Sequence, residues 1–451
     1  MKIRQFEDKH LSHYSYAIVS ECEQKMILID PARDVQPYVT YAKEMGVTIV
    51  GVIETHPHAD FVSSHLEIFQ TVGATIYTSR LVDAAYPHKG FDEGQSIEIG
   101  KIQLSAINTP GHSPDSISIL LVHQGKPKAV FTGDTLFVGD CGRPDLREGS
   151  GKMQAKRKDL ARQMFHSLRE KLAVLPDDVI VYPAHGAGTL CGKNLSKESN
   201  STIGKEKQTN WSLQETTEEE FADNLLADQP FVPAYFPYDV ELNRLGATHM
   251  EQSIAAIHIS EAKDDLDPLR WVVDVRQEED FKAGHLPHAI NLMEDGKFET
   301  WLGSIIKPGE KFYLAGANMA QVQRMIQRTA SIGYESAVIE GLVVHAGNEK
   351  EKEATIDLSK FQIDPEAYTI VDVRNTSEIN HEKIFPNSLS IPLAEVRERV
   401  HEIPTDKPIV VHCAGGYRSA AASSLIHSTL NGKVRVMDLG AAVKKFQKTI
   451  K

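Results

Sequence analysis

The heptapeptide Thr55–Phe61, THPHADF, closes an apolar run, Val47–Glu54, that reads as a β-strand. Two histidines at i and i+2, where a strand ends and the backbone turns, aim their imidazoles at one point, and Asp60 adds a third polar group. Working outward, the pattern recurs. TPGHSPDS puts His112 after a Pro-Gly turn, FTGDTLF puts Asp134 just past the strand-like run Ala129–Thr132, and VYPAHGAG puts His185 after Val179–Tyr182. Four such segments, each at a strand end, converge on one sheet edge, which is where open α/β sheets bind their ligands. Imidazole and carboxylate are metal donors, so the convergence points to a metal site.

The neighbouring pattern supplies the sheets. Tyr14–Ser20, Met26–Asp30, Ala74–Thr78, Ile97–Ile99, Ile102–Asn108 and Ile117–His123 read as further strands. Val35–Met45 and Lys156–Leu172 carry helical periodicity. Such a mixture suits a layered α/β arrangement with helices covering the sheet faces. After Gln229 the texture changes to QPFVPAYFPYDVELN, whose prolines and aromatics predict an ordered, packed linker over 231–250.

The last part of the chain repeats itself. VVDVR at Val272–Arg276 returns as IVDVR at Ile370–Arg374, an offset of 98. KFYLAGANMAQ aligns with IVVHCAGGYRS at the same offset if Ala315 is matched to Cys413. Duplicated, small, doubly wound α/β domains are expected, over 251–352 and 353–451. In HCAGGYRS, Cys413 follows a strand and precedes a helix-prone stretch. Gly415 and Gly416 allow the loop to curl its N–H groups around the sulfur, with a helix N-terminus behind them to stabilise a thiolate or a persulfide anion. Arg418 adds positive charge for an anionic donor or acceptor. Asp372 and Arg374 are expected to tie the loop to the core. In the first repeat Ala315 and Ala320 take the cysteine and arginine positions, which removes the chemistry.

Composition narrows the partners. The chain has 451 residues, 41 % hydrophobic and 25 % charged, enough for about three domains. A net charge of -13 disfavours nucleic acid and anionic membranes. No apolar run approaches the ~20 residues of a membrane helix. The first residues, MKIRQFEDKHLSHYSYAIVS, contain no apolar signal core, and the four scattered cysteines form no disulfide framework. A cytoplasmic location is expected.

HxHxD, GHS, GDTLF and PAHG, in this order, resemble the metallo-β-lactamase superfamily, as in glyoxalase II-like hydrolases. Members often carry HxHxDH, whose last two residues help to hold a second metal. This chain has Phe61 at that histidine, which removes a donor and crowds the second position, so one metal is expected. Among mononuclear members the chain is most similar to persulfide dioxygenases. That resemblance implies an αββα domain over 1–230 with one Fe(II) on His56, His112 and Asp134. A 2-His-1-carboxylate triad leaves positions open for O2 and a substrate sulfur. His58, Asp60 and His185 then become groups that support the ligands or hold water. Zinc is the alternative metal, because the same donors suit it.

GDCGRPDL at Gly139–Leu146 resembles a segment of these dioxygenases. Arg143 there reads either as an anchor for the carboxylates of a thiol carrier or as the ion-pair partner of Asp145. Cys141 reads as packed. Cys191, in HGAGTLCGKN after His185, reads equally as a sulfur-handling thiol or a small buried hydrophobe. HCAGGYRS matches the rhodanese loop Cys-x-x-Gly-x-Arg, and the first repeat resembles a pseudo-rhodanese domain.

Together the motifs resemble bacterial persulfide dioxygenase–rhodanese fusions. The implied chemistry is oxidation of a low-molecular-weight thiol persulfide by O2 to sulfite, with Cys413 passing sulfane sulfur to sulfite to give thiosulfate, in a homo-oligomer. Two rivals stand beside it. One is a zinc-dependent glyoxalase II-like thioester hydrolase fused to a sulfurtransferase. The other is a non-catalytic sulfur carrier or sensor.

Overall fold

Strands that are apolar on both faces must be covered on both faces, and the first half of the chain solves this with two stacked sheets between helices. The structure, a computed structural model, describes residues 1–147, 156–263, 265–345, 347 and 350–447. The last four residues of the expected final domain therefore lie outside the described residues. The chain divides into two compact units, Met1–Gln252 with Ser331–Gly333, and Ser253–Ala330 with Tyr334–Lys451.

In the first unit, one sheet runs in sequence order through Lys2–Asp8, His13–Ser20, Lys25–Ile29, Thr48–Ile53, Thr75–Thr78 and Lys89–Gly90. Its first three strands pair antiparallel and the rest parallel. The second sheet runs from Ser96–Ile99 through Ile102–Asn108, Ile117–His123, Lys126–Gly133 and Ile180–Pro183 to Ser201–Thr202. Tyr16, Ile18, Ile27 and Ile53 of one sheet meet Leu104, Ile119, Leu121 and Phe131 of the other in a shared core. The outer face of the first sheet packs Val19, Leu28 and Val52 against Tyr38 and Ala42 of helix Gln36–Met45 and Ile68 of helix His65–Val72. The outer face of the second packs Val130 and Val181 against helices Arg157–His166 and Glu218–Leu226. The order is αββα.

The expected strands and helices are present with boundaries moved by a few residues. The segment 231–250 is ordered and packed. It belongs to the first unit, which continues to Gln252, and Phe236–Leu245 is a helix with Pro237 in its opening turn, where no N–H is needed. Asn243 explains its place. Its Nδ2 donates to the carbonyls of His58 (2.8 Å) and Phe61 (2.7 Å), and its Oδ1 accepts from the N–H of Ser63 (2.8 Å). This segment pins the histidine loop.

The second unit holds two parallel sheets. The first is ordered Ile259–Glu261, Val338–Val343, Phe312–Gly316, Trp271–Asp274, Ala289–Asn291; the second is ordered Leu389–Ser390, Thr369–Asp372, Ile409–His412, Val436–Asp438. Each has its own apolar core. In both repeats the VDVR arginine grips its own aspartate through two nitrogens, Arg276 on Asp274 and Arg374 on Asp372, with closest distances of 2.7 Å. These pairs are structural, as expected.

One correction concerns the repeat. Asp274 faces Ala315 across the ladder, but Asp372 faces His412, an offset of 97 for that strand. Gly316 and Gln321 therefore stand where Cys413 and Arg418 stand, in place of Ala315 and Ala320. A gapless alignment misses a one-residue shift that the ladder fixes. The first repeat still has neither thiol nor guanidinium at those positions.

Between the repeats, Glu353 buries its carboxyl beside Asp438. Its Oε1 accepts from Ser423 Oγ (3.4 Å), and its Oε2 is buried with no hydrogen-bond partner. Burial first, and Asp438 second, push its pKa up to about 8, against the opposing pull of Lys282. Between the ordinary carboxylate range and pH 8 the folded chain holds a proton that the unfolded chain has lost. Stability from this group is therefore full at low pH and falls as pH rises towards 8, by at most about 5 kcal/mol at ~1.36 kcal/mol per unit. Glu353→Gln is expected to flatten that decline and to raise the denaturation midpoint above pH 8 relative to wild type. Urea titrations at pH 6 and pH 9 that give parallel shifts for both proteins would rule this out.

Candidate metal centre and sulfur-transfer loop

The loops that follow Thr48–Ile53, Ile102–Asn108, Lys126–Gly133 and Ile180–Pro183 meet at one edge of the stacked sheets. His56, His112 and Asp134 come together there, with one donor atom from each within 4.8 Å of the others, all buried. His112 Nε2 lies 3.6 Å and His56 Nε2 4.0 Å from Asp134 Oδ2. Each ring is turned by its other nitrogen. His112 Nδ1 donates to the carbonyl of Arg143 (2.9 Å). Thr55 Oγ1 donates to Asp30 Oδ2 (2.8 Å) and so accepts from His56 Nδ1 (3.0 Å). Both arrangements leave Nε2 facing Asp134, the geometry that outer partners impose on metal-binding histidines.

Whether this donor set fits a cation is answered by Asp134. Both of its carboxylate oxygens are buried and make no hydrogen bond. A buried carboxylate without hydrogen bonds is costly, and a cation on Oδ2 reduces that cost. Close packing protects the arrangement: a Cβ at Gly142 would sit 1.9 Å from the Asp134 carbonyl and 3.1 Å from His112 Nδ1.

Asp134 Oδ1 faces the other way, 3.5 Å from His185 Nε2, which is also 3.5 Å from Asp60 Oδ2. Cys191 completes this second group, with donor atoms of Asp60, His185 and Cys191 within 4.8 Å. Burial lowers the pKa of His185, but Asp60 and Asp134 outweigh it and leave it raised. Burial, then Asp60 and Asp134, push the Cys191 thiol well up. His58 belongs to neither group, although its ring centroid lies 4.3 Å from that of His56; its Nε2 is 3.2 Å from Asp30 Oδ1 and 3.7 Å from Glu54 Oε2. Phe61 lies against it, with ring centroids 4.3 Å apart, and against His13 at 3.8 Å.

In the second unit the loop after Ile409–His412 closes on Cys413, which is 1 % exposed. Sγ accepts from the N–H of Gly416 (3.1 Å) and Gly415 (3.5 Å), and lies 3.6 Å from Ser419 Oγ. Gly416 has φ 116°, a conformation that side chains disfavour, and it opens helix Tyr417–Leu430 directly behind the sulfur. This is an anion cradle of backbone N–H groups. Arg418 is held by both oxygens of Glu378, at 2.5 and 2.9 Å, so its charge is shared with a carboxylate. His412 beneath the loop is kept neutral, its pKa pushed down by burial to about 4.

Residues 9–185 match the metallo-β-lactamase superfamily, and residues 258–341 and 356–444 match the rhodanese-like domain. The mitochondrial persulfide dioxygenase ETHE1 of Mus musculus is 30 % identical over 237 residues, covering 51 % of this chain and 83 % of its own length. The chain belongs to the persulfide dioxygenase family. It carries the family's domain fused to two rhodanese-like domains. The hydroxyacylglutathione hydrolase GloC of Haemophilus influenzae is 25 % identical over 215 residues, 43 % of this chain and 90 % of that one. A crystal structure of a metallo-β-lactamase from Staphylococcus aureus subsp. aureus COL superimposes with a TM-score of 0.68 at 33 % identity, covering 76 % of this chain and 98 % of that chain.

For this persulfide dioxygenase family member, one residue expectation needs correcting. Arg143 is not an open anion anchor. It is 1 % exposed, its Nε and Nη2 clasp Asp145 at 2.7 and 2.6 Å, and its other N–H groups reach the carbonyls of Leu190 (3.2 Å), Pro230 (2.6 Å) and Phe231 (3.5 Å). All five donors are committed to the protein. Its backbone carbonyl, which turns His112, is the part that touches the centre. Cys141 is packed as expected, its thiol pushed well up, mainly by burial. Asp30, Thr55, Asn243 and Glu378 were not singled out in the sequence. Glu378 left a faint signal, since Asn375 and Glu378 form a capping box at helix Thr376–His381.

Proposed function

We propose that the chain oxidises a low-molecular-weight thiol persulfide with O2 and transfers sulfane sulfur through Cys413. The observation that carries the first half is the meeting of His56, His112 and Asp134, with both Asp134 oxygens buried and without a hydrogen bond. These residues would hold one Fe(II), which when bound supplies the open coordination and the redox chemistry that O2 and a sulfur ligand need. The overall balance is RSSH + O2 + H2O → RSH + sulfite + 2 H⁺. The chain's own groups orient and exclude. Thr55 and the Arg143 carbonyl fix the two imidazoles. His185, between Asp60 and Asp134, is placed to hold a proton or a water beside the reacting sulfur.

In the second half, Cys413 thiolate attacks the outer sulfur of a second persulfide. RS⁻ leaves, and Cys413 keeps the sulfane sulfur as a persulfide, cradled by Gly415 and Gly416. Sulfite then attacks that sulfur, giving thiosulfate and restoring the thiol. Arg418 offers the incoming anion a partly compensated charge.

A zinc thioester hydrolase is the second reading, and a specific feature favours it. Asp60 and His185 stand on the far side of Asp134, as donors for a second cation would. Phe61 speaks against it, because it fills space beside His58 with an apolar ring. The deciding experiment is O2 uptake by anaerobically iron-loaded protein given glutathione persulfide, with metal quantified in the same sample. Uptake proportional to iron is expected. No uptake at full iron occupancy across several thiol persulfides would move the assignment to the hydrolase.

A further inference from the structure

We infer that His285, Glu351 and His427 form a divalent-cation site of zinc type where the two rhodanese-like domains meet. The three residues come from separate parts of the second unit. His285 follows helix Glu278–Ala283 of the first repeat, Glu351 lies in the connector, and His427 is in the last turn of helix Tyr417–Leu430. One donor atom from each lies within 4.8 Å of the others.

Each group is held in place by something other than contacts among the three donor atoms. His285 Nδ1 donates to the Phe281 carbonyl at 3.1 Å, and the ring stacks on Phe281 with centroids 4.1 Å apart and planes 5° apart. That bond fixes the tautomer and leaves Nε2 as the basic nitrogen, the arrangement seen in metal-binding histidines. Glu351 is anchored by a backbone bridge to His285, with His285 N to Glu351 O at 3.0 Å and Glu351 N to His285 O at 3.2 Å. His427 is carried by its helix.

The spacing then discriminates between two explanations. Glu351 Oε2 is 3.7 Å from His285 Nε2 and 3.6 Å from His427 Nε2. A charge-assisted hydrogen bond would bring such atoms to ~2.7–2.9 Å. Two donors at ~2.0–2.2 Å from one tetrahedral zinc lie ~3.4 Å apart. The observed separations fit donors around an ion better than a pair of ion-paired histidines. Access is available, since Glu351 and His427 line a cavity of about 750 Å³ with Trp271 and His288. Three protein donors leave a position for water. The ion would clamp the helix that starts at the Cys413 loop to the cysteine-free repeat.

The test counts metal. Full-length wild type, Glu351→Gln and His427→Ala, all iron-loaded, are equilibrated with ZnCl2 and dialysed, and zinc and iron per chain are measured. Wild type is expected to retain one zinc more than either variant, at equal iron. Equal zinc in all three overturns the site. Glu351→Gln keeps the side chain's size at a partly exposed position, so it guards against a folding defect in His427→Ala. As a second readout, ZnCl2 should raise the thermal midpoint of wild type by a few degrees and leave that of Glu351→Gln in place. The same shift in both proteins overturns the site as well.

Discussion

His112→Ala is expected to lose bound iron and O2 uptake together, while sulfur transfer through Cys413 continues. His112 supplies one of three donors, and its Nδ1 donates to the Arg143 carbonyl. Alanine leaves His56 and Asp134 as the remaining donors of the group. Removing an outer partner of a metal ligand costs ~10–100-fold in metal affinity, and removing the ligand itself should cost more. Iron per chain after desalting, O2 uptake with glutathione persulfide and thiosulfate formation from persulfide plus added sulfite would be measured on one preparation. A variant with full iron would remove His112 from the ligand set. A variant that loses thiosulfate formation as well would mean that the substitution had unfolded the chain, and circular dichroism of the same sample would show it.

Cys413→Ser should have the complementary effect. O2 uptake stays at the wild-type rate, thiosulfate falls to background, and sulfite accumulates in its place. The hydroxyl fits the cradle of Gly415 and Gly416 N–H groups but is not ionised at neutral pH, so it neither attacks a persulfide nor stores its sulfur. Serine is nearly isosteric, so the buried loop and the Ser419 contact should persist. Unchanged thiosulfate output would sink the coupled scheme, because sulfite would then be meeting sulfane sulfur elsewhere. In the proposed scheme, fusing the domains raises the local concentration of the sulfite acceptor, which is the advantage that linked sites offer.

The mouse relative and the match of both domain families settle the family and the domain types, and both experiments read the metal and the products directly.

Much of this molecule is legible in the sequence alone. Strand ends announce themselves as an apolar run followed by a polar cluster. His56, His112, Asp134 and His185 sat in four such places, and a sheet brings strand ends of one polarity to one edge. The Cys413 loop was legible for a similar reason, as its glycines, cysteine and following helix are contiguous. The duplication was visible because VDVR is conserved within the chain by a local need, the arginine gripping its own aspartate two residues away.

What required the tertiary structure is long-range. Whether Arg143 met a substrate or a protein carboxylate depended on its burial and on the carbonyls of Pro230 and Phe231, more than 80 residues away in sequence. The helix at Phe236–Leu245 read as a linker because nothing in its own residues shows that Asn243 reaches the His58 and Phe61 carbonyls. The one-residue shift that puts Gly316 in the cysteine position exists only in the ladder register. The sequence by itself determined which chemistry the chain can carry, since donor types and their order are local properties. Tertiary packing decided which of those groups are committed to the fold and which face one another across the sites, because burial and pairing are properties of distant segments brought together.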